Sequence, residues 1–238
     1  MTKSSLLLLT TALIVLVSSP ANLMANPVEL VLLLDSSGSL GASGWANIED
    51  AYVDLFNTLT PEELNGDLSV SVIQFASGAW IRWDLTPLDD QADVNTLTNT
   101  ISDMYFTKGA THTRTAIETA MDVFNQQGTD GSRKIISLVT DGNPYPMHTQ
   151  NPSDLGGTLD ALGIEMYIMG IGNDWNPNII SALVDDEDTD IMEFGSTAMA
   201  QHYGAIFDYA AATPEPATMS LLAVGGIVAL ARRKRRQR

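Results

Sequence analysis

Long apolar runs alternate with amphipathic segments through the middle of the chain. Apolar runs of strand length that end at polar residues are typical of strands covered on both faces. The sequence has four, at Val28–Leu34, Leu68–Phe75, Lys134–Thr140 and Ile164–Ile171. Apolar positions at helical spacing predict helices over Trp45–Leu59, Asp90–Met104, Thr113–Gln127 and Ser196–Ala211. Strands that alternate with helices predict an α/β fold with three layers, doubly wound around a mostly parallel central sheet.

Two shorter segments are predicted to form edge strands of this sheet. Ala79–Leu85 follows a short polar turn, which is typical of a hairpin and predicts one antiparallel edge strand. Asp190–Phe194 predicts a second short edge strand, and Asn178–Leu183 predicts a helix before it. The spacing of Trp80 and Trp83 predicts opposite faces of the hairpin strand, so at least one of them should lie in the core.

The N-terminus has the pattern of an export signal. Lys3 precedes the apolar run Leu6–Val17, and a stretch of small and polar residues follows it as far as Ala25. This order predicts a secretory signal peptide over residues 1–25. The run is shorter than the roughly 20 apolar residues that cross a bilayer, although an uncleaved N-terminal anchor remains the alternative.

The C-terminus has a three-part pattern. Residues 212–216 form a linker that contains the motif Pro-Glu-Pro. The apolar segment 217–231 predicts a short transmembrane helix. The basic tail, residues 232–238, is expected to hold that end in the cytoplasm. The three parts together resemble the PEP-CTERM sorting signal of Gram-negative bacteria. The resemblance implies processing by an exosortase, a membrane protease, so that the protein is anchored first and then released to the cell surface or extracellular matrix. A permanent C-terminal anchor is the alternative.

Charge and composition exclude several functions. The chain of 238 residues has a formal charge of −17, and residues 26–213 keep 28 acidic but only five basic residues, a formal charge of −23. Nucleic-acid binding is disfavoured, because contacts to phosphate need basic side chains. The absence of cysteine excludes disulfides, thiolate metal sites and cysteine catalysis.

Carboxylates follow two of the predicted buried strands. The binding crevice of an open α/β sheet lies at this end of its strands. The first strand runs into Asp35, Ser37 and Ser39 at alternate positions, and a later strand ends at Asp141. One carboxylate with two neutral hydroxyls is an oxygen set that suits Mg²⁺, with Ca²⁺ or Mn²⁺ as substitutes.

These residues are similar to the metal-ion-dependent adhesion site of von Willebrand factor type A domains. That site combines the motif Asp-x-Ser-x-Ser, a threonine loop and an aspartate after a central strand. The matching residues are Asp35, Ser37, Ser39, Thr111 and Asp141. The resemblance implies one such domain over residues 26–211, with these five side chains as the metal ligands.

The expected function is binding rather than catalysis. Mg²⁺ takes six oxygens at about 2.0–2.1 Å, so five side chains, some acting through water, leave a position open. The resemblance implies that an acidic residue of a protein ligand fills that position, which makes the chain an adhesion or protein-interaction module and not an enzyme. A triad of Ser39, His112 and Asp141 is disfavoured, because the sequence has no Gly-x-Ser-x-Gly elbow.

Two alternatives to adhesion remain. The acidic surface could bind exopolysaccharide through bridging cations, which would make the protein a structural component of the biofilm matrix. Domains of this kind also occur in chelatase complexes, so an accessory subunit of a metal-handling machine is the second alternative. The predicted export argues against it.

Overall fold

Six strands form one sheet in the computed structural model, which describes residues 27–172, 179, 181–184 and 190–211. The strands are β1 (Val28–Asp35), β2 (Leu68–Phe75), β3 (Ala79–Pro87), β4 (Arg133–Thr140), β5 (Ile164–Gly170) and β6 (Ile191–Glu193). Their spatial order is β3-β2-β1-β4-β5-β6. Neighbouring strands are parallel except for β2 and β3, which are antiparallel. The predicted mostly parallel sheet with one antiparallel edge strand is therefore confirmed.

Helices cover both faces of the sheet. In the described part of the chain they are α1 (Gly41–Asn57), α2 (Gln91–Ser102), α3 (Thr113–Gln127), α4 (Met147–Gln150), α5 (Gly156–Leu162) and α6 (Ser196–Ala211). Buried side chains of α1, α2 and α6 form one core with one face of the sheet. Those of α3 and α5 form a second core with the other face. This is the predicted arrangement of three layers.

Strand β1 is buried along its whole length. It lies between β2 and β4, and its side chains alternate between the two cores, with Leu32 in the first and Leu33 in the second. Coverage on both faces explains why the sequence of β1 is continuously apolar rather than alternating. Its last residue, Asp35, is the exception, a carboxylate that is fully buried at the carboxyl edge of the sheet.

Helix boundaries differ from the predicted ones at several points. Helix α1 begins at Gly41 instead of Trp45, because a 3₁₀ turn at Gly38–Leu40 leads directly into it. Helices α4 and α5 were not predicted, since both are short and α5 opens with two glycines, which have low helix propensity. In the described part of the predicted helix Asn178–Leu183, Ser181–Leu183 form a 3₁₀ turn.

Irregular pairing along β3 places its two tryptophans on one face. Trp80 pairs with Gln74 and Trp83 pairs with Val72, and the register shifts between these pairs. Val72 and Gln74 are two residues apart on β2 and therefore point to the same face. The predicted opposite orientation of Trp80 and Trp83 is wrong, because a bulge adds a residue between them and restores a common face.

The predicted targeting segments fall outside the described residues. These are the signal peptide at residues 1–25 and the sorting tail from residue 212 onward. Within residues 27–172, 179, 181–184 and 190–211, no helix is both long enough and apolar enough to cross a membrane.

Candidate metal centre

Asp35 is fixed at the carboxyl edge of the two central strands. Thr140, the last residue of β4, donates a hydrogen bond from Oγ1 to Asp35 Oδ2 at 2.6 Å. The backbone N–H of Ser37 donates to Asp35 Oδ1 at 2.8 Å. Both carboxylate oxygens are therefore hydrogen-bonded, which sets the orientation of this buried group.

Serine hydroxyls connect the loop after β1 to Asp141. Ser37 Oγ lies 3.1 Å from Ser39 Oγ, and Ser39 Oγ donates to Asp141 Oδ1 at 2.8 Å. Ser37 is fully buried, whereas Ser39 is exposed. The result is a continuous row of oxygens that runs from the buried interior to the surface. Ser39 reaches Asp141 directly, without the imidazole that a Ser-His-Asp triad places between them.

The loop between α2 and α3 is attached to the loop after β1. Lys108 N donates to Ser36 O at 2.9 Å, and Gly38 N donates to Gly109 O at 3.0 Å. Thr107 Oγ1 also contacts Ser36 Oγ. These bonds hold the threonine loop beside the Asp-x-Ser-x-Ser segment, although the two are distant in sequence.

Glycine is required at position 109 in this loop. Gly109 has φ of +103°, and a Cβ atom there would overlap Ser77 Oγ. That hydroxyl accepts a hydrogen bond from Ala110 N at 2.8 Å. The β2–β3 hairpin, which carries Ser77, therefore supports the loop from its other side, and only a residue without a side chain fits between them.

Thr111 reaches the same group of oxygens. An ideal Cβ on Gly142 would lie 3.6 Å from Ser39 Oγ and 3.9 Å from Thr111 Oγ1, so both hydroxyls border Gly142. Thr111 is only 6% exposed, and its carbonyl accepts a hydrogen bond from Tyr145 N at 2.9 Å. The structure thus brings together all of the predicted site residues, Asp35, Ser37, Ser39, Thr111 and Asp141.

The electrostatics of Asp35 are those of a group that a cation would stabilise. Burial raises the pKa of Asp35 to about 6, against the lowering effect of the hydrogen bonds from Thr140 and Ser37. The nearby charge of Asp141 raises this pKa further. A desolvated carboxylate beside a second carboxylate favours either a proton or a bound cation.

The donor set fits a hard divalent cation. It consists of two carboxylates and three hydroxyls, all oxygen ligands of the kind that Mg²⁺, Ca²⁺ and Mn²⁺ prefer. Elsewhere in the described residues, as here, no group of three or more His, Cys, Asp or Glu side chains is placed to hold a metal. The candidate site has only two carboxylates, and hydroxyls make up the rest of its donor set.

Three supporting residues were not predicted to have a role in the site. Thr140 orients Asp35, Ser77 supports the threonine loop, and Ser36 receives that loop through its backbone carbonyl. Thr140 directly precedes Asp141, which is the one available signal in the sequence. The other two act through tertiary contacts that sequence spacing does not reveal.

Two regions of the chain match described families. Residues 29–203 match the von Willebrand factor type A domain. Residues 212–236, outside the described residues, match the PEP-CTERM protein-sorting motif, which implies export, exosortase processing and sorting to the bacterial cell envelope. The chain is 22% identical over 167 residues to the collagen alpha-1(VI) chain of Gallus gallus, which aligns 69% of this chain but only 16% of the collagen chain.

Solved structures of low sequence identity share the fold. Proximal thread matrix protein 1 from the mussel byssus, with a zinc-occupied MIDAS motif, has a TM-score of 0.62 and 18% identity over 77% of this chain and 48% of its own. The pilus adhesin SpaC of Lactobacillus rhamnosus GG has a TM-score of 0.63 and 14% identity over 79% and 31%. The manganese-loaded TRAP protein of Plasmodium vivax has a TM-score of 0.58 and 18% identity over 75% and 74%.

The family match includes β1, where Asp35 lies, and β4, which leads to Asp141. It continues into α6 and so covers most of the described fold. On this evidence the chain belongs to the von Willebrand factor type A domain family.

Proposed function

We propose that this protein is a surface-sorted, non-enzymatic adhesion module that binds a protein partner through a divalent cation, Mg²⁺. The ligands of the cation are Asp35, Ser37, Ser39, Thr111 and Asp141. The observation that carries the proposal is the row of oxygens from Ser37 through Ser39 to Asp141, beside the buried Asp35.

The composition of the site supports recognition of an acidic ligand. Only two of its five side chains carry a negative charge, so a bound Mg²⁺ retains attraction for a further carboxylate. Residues 26–213 carry a formal charge of −23. At physiological salt this charge repels an anionic partner within about 8 Å of the surface, because salt screens it at longer distances. A bound cation neutralises it locally. The metal then supplies the local attraction, and an acidic residue of the partner completes its coordination.

Proteins that share the fold support the same interpretation. The mussel byssus protein carries zinc in its MIDAS motif, and the Plasmodium vivax protein is loaded with manganese. SpaC is a pilus adhesin. These proteins share the fold at low sequence identity. The metal and the class of partner proposed for this chain are therefore inferred mainly from its own residues.

A pull-down tests the proposal directly. Full-length protein is used as bait for surface extracts of the native host, in Mg²⁺ and in EDTA, and captured proteins are identified by mass spectrometry. We expect a partner that is captured in Mg²⁺, lost in EDTA and lost with Asp35→Ala. Asp122→Ala is the matched control, because Asp122 is an exposed carboxylate on α3 outside the site. Capture that is equal in EDTA would contradict the adhesion mechanism.

A second candidate is a structural role in the exopolysaccharide matrix. The acidic charge of residues 26–213 favours it, because bridging cations could link an acidic surface to an anionic polysaccharide. Such binding would depend on divalent cations but not on one particular site. Retention of native exopolysaccharide by wild-type protein and by Asp35→Ala to the same extent, with no captured protein, would favour this role.

Processing of the tail is tested separately. Exosortase cleavage near the Pro-Glu-Pro motif predicts a mature protein that lacks the basic residues after position 231. Intact-mass measurement on protein from the native host checks this. An intact Arg238 terminus in surface-exposed protein would indicate a permanent anchor instead.

A further inference from the structure

Arg82, an arginine near the candidate metal centre, has no acidic partner among the described residues. Residues 26–213 contain five basic residues. Arg114 pairs with Glu118 and Asp154, and Arg133 pairs with Glu165. Within the described residues, Arg82, Lys108 and Lys134 make no ion pair, and Arg82 is the only arginine among these three. The one hydrogen bond that its guanidinium makes to a described residue is to a neutral amide.

Arg82 is nevertheless held in a fixed position. Its Nε donates to Gln74 Oε1 at 2.9 Å, and the Nε2 of the fully buried Gln74 donates to Tyr105 O at 2.8 Å. The guanidinium lies 5.7 Å from the ring centroid of Trp80 and 5.5 Å from that of Tyr105. Two aromatic rings and one buried amide therefore hold the planar group, while its terminal amino groups make no hydrogen bond to any described residue.

The two rings are exposed and lie close to the threonine loop. Trp80 is 40% exposed and Tyr105 is 67% exposed, so both rings are accessible to a partner. Tyr105 is two residues before Thr107, so their Cα atoms are at most about 7.6 Å apart. Thr107 contacts Ser36, next to Asp35. The cluster of Trp80, Arg82 and Tyr105, here called the arginine clamp, thus borders the candidate metal centre.

The chemistry of the clamp is that of a carboxylate receptor. A guanidinium presents N–H donors in a planar fork that matches the two oxygens of a carboxylate. The rings shield it from water and reduce the side-chain entropy that an exposed arginine loses on binding. Gly78 and Arg82 both lie against the Trp80 ring. A Cβ added to Gly78 would lie 3.1 Å from Trp80 Cζ2, and the Arg82 guanidinium lies over the ring. These contacts occupy part of the ring surface that stacking on a sugar would need.

We propose that the arginine clamp is a second binding site for the partner and that it takes a carboxylate from an acidic protein segment. The inference rests on the proposed function: one acidic residue of the partner completes the metal site, and a second one binds Arg82. Partners with two suitably spaced carboxylates are then preferred over partners with one.

Short acidic peptides test the clamp on the full-length protein. The probes are fluorescein-labelled peptides with two glutamates separated by one to five glycines, and matched peptides in which one glutamate is glutamine. Fluorescence anisotropy in Mg²⁺ should show that the best-spaced peptide with two glutamates binds about 3- to 10-fold more tightly than its match with one. Arg82→Gln should remove this difference and leave the binding of the single-glutamate peptide unchanged.

Matched variants separate the clamp from general charge effects. Lys134→Gln makes the same charge change near the start of β4, at the opposite end of the strands from the clamp. This variant should preserve the preference for two glutamates. Arg82→Lys should restore it only in part, because lysine lacks the planar fork. Tyr105→Ala, in an exposed loop, should reduce this preference about 2-fold, because one of the two cation–π contacts is lost.

The outcomes distinguish this inference from the proposed function. Binding that survives EDTA and Asp35→Ala but is lost with Arg82→Gln would support the clamp and contradict the metal mechanism. The clamp is contradicted if wild-type protein shows no preference for two glutamates, or if Arg82→Gln and Lys134→Gln have equal effects. Polygalacturonate binding that depends on Arg82, without peptide binding, would contradict a protein ligand at this site.

Discussion

Strand β1 buries a carboxylate at each end, and the two ends have different surroundings. At the amino end, Glu29 is 2% exposed, accepts one hydrogen bond from Thr129 N, and has no partner for Oε2 among the described residues. Gly128 lies so close that a Cβ there would be 2.8 Å from Oε2. At the carboxyl end, both oxygens of Asp35 are hydrogen-bonded and a row of hydroxyls leads from it to the surface.

The two carboxylates are alike in burial and differ in the groups that surround them. Backbone packs closely over Glu29, which leaves little room for a ligand beside it. Around Asp35 the neighbours are neutral oxygens and a second carboxylate, which a cation can share. The chemistry of the domain is therefore expected at one edge of the sheet only, as the position of binding crevices in open α/β sheets requires.

The largest expected effect is on the pH dependence of stability without metal. The folded-state pKa of Asp35, about 6, lies above the roughly 3.9 of an unfolded aspartate. The folded protein therefore holds this proton more tightly, so the stabilisation is fully present below about pH 4 and is lost as the pH rises through 6. The loss is about 3 kcal/mol.

Urea unfolding in EDTA between pH 4 and 7 measures this loss. Asp35→Asn should flatten the profile by this amount, and an unchanged profile would contradict the assigned environment of Asp35.

The second expected effect is stabilisation by metal. Mg²⁺ at 100 times its Kd should raise the free energy of unfolding by about 2.7 kcal/mol at pH 7. Asp35→Asn should remove this gain, and Glu29→Gln should keep it, whatever the basal stability of either variant. Urea unfolding with and without Mg²⁺ measures both. Equal loss of the gain in the two variants would abolish the distinction between the two ends of β1.

The third prediction compares two loops, one at the carboxyl ends of the strands and one at their amino ends. Gly109 and Gly131 both have positive φ, of +103° and +84°, but only at Gly109 would an added Cβ meet a neighbouring atom within 4 Å, namely Ser77 Oγ. Gly131→Ala should cost about 1 kcal/mol of strain. Gly109→Ala should cost about 2 kcal/mol and also weaken Mg²⁺ binding, because it displaces the threonine loop. Urea unfolding and Mg²⁺ titration of the two variants measure these effects. Equal effects on Mg²⁺ affinity would show that this loop does not contribute to the site.

The smallest expected effect concerns the hydroxyl that orients Asp35. Thr140→Val removes the 2.6 Å hydrogen bond and should cost about 1 kcal/mol in stability, with a decrease of several-fold in Mg²⁺ affinity. Thr140→Ser keeps the hydroxyl and should restore the affinity. A valine variant with wild-type affinity would indicate that Asp35 needs no support from β4.

Much of the fold and of the site could be predicted from the sequence. Continuous apolar runs identify β1 and β4 because burial on both faces leaves no polar positions in them. Asp35 and Asp141 follow from their places at the ends of these strands, and the serines and Thr111 follow from their resemblance to a family motif.

Other features depend on tertiary contacts that spacing does not record. The irregular pairing of β3 places Trp80 and Trp83 on the same face of the sheet. A regular alternation of side chains along the strand predicts opposite faces. Gln74 supports Arg82 only because β2, β3 and the loop at Tyr105 meet. Helix α5 carries two initial glycines and forms where its neighbours bury Leu159.

A titration of the full-length protein with Mg²⁺ tests the central claim most directly. Isothermal titration calorimetry at about pH 7.5, above the raised pKa of Asp35, should show one Mg²⁺ bound per chain in wild-type protein and in Glu29→Gln. No binding should be detectable in Asp35→Asn or Asp141→Asn. Binding of one ion with unchanged affinity in both of these aspartate variants would contradict a metal centre at the carboxyl edge of the sheet.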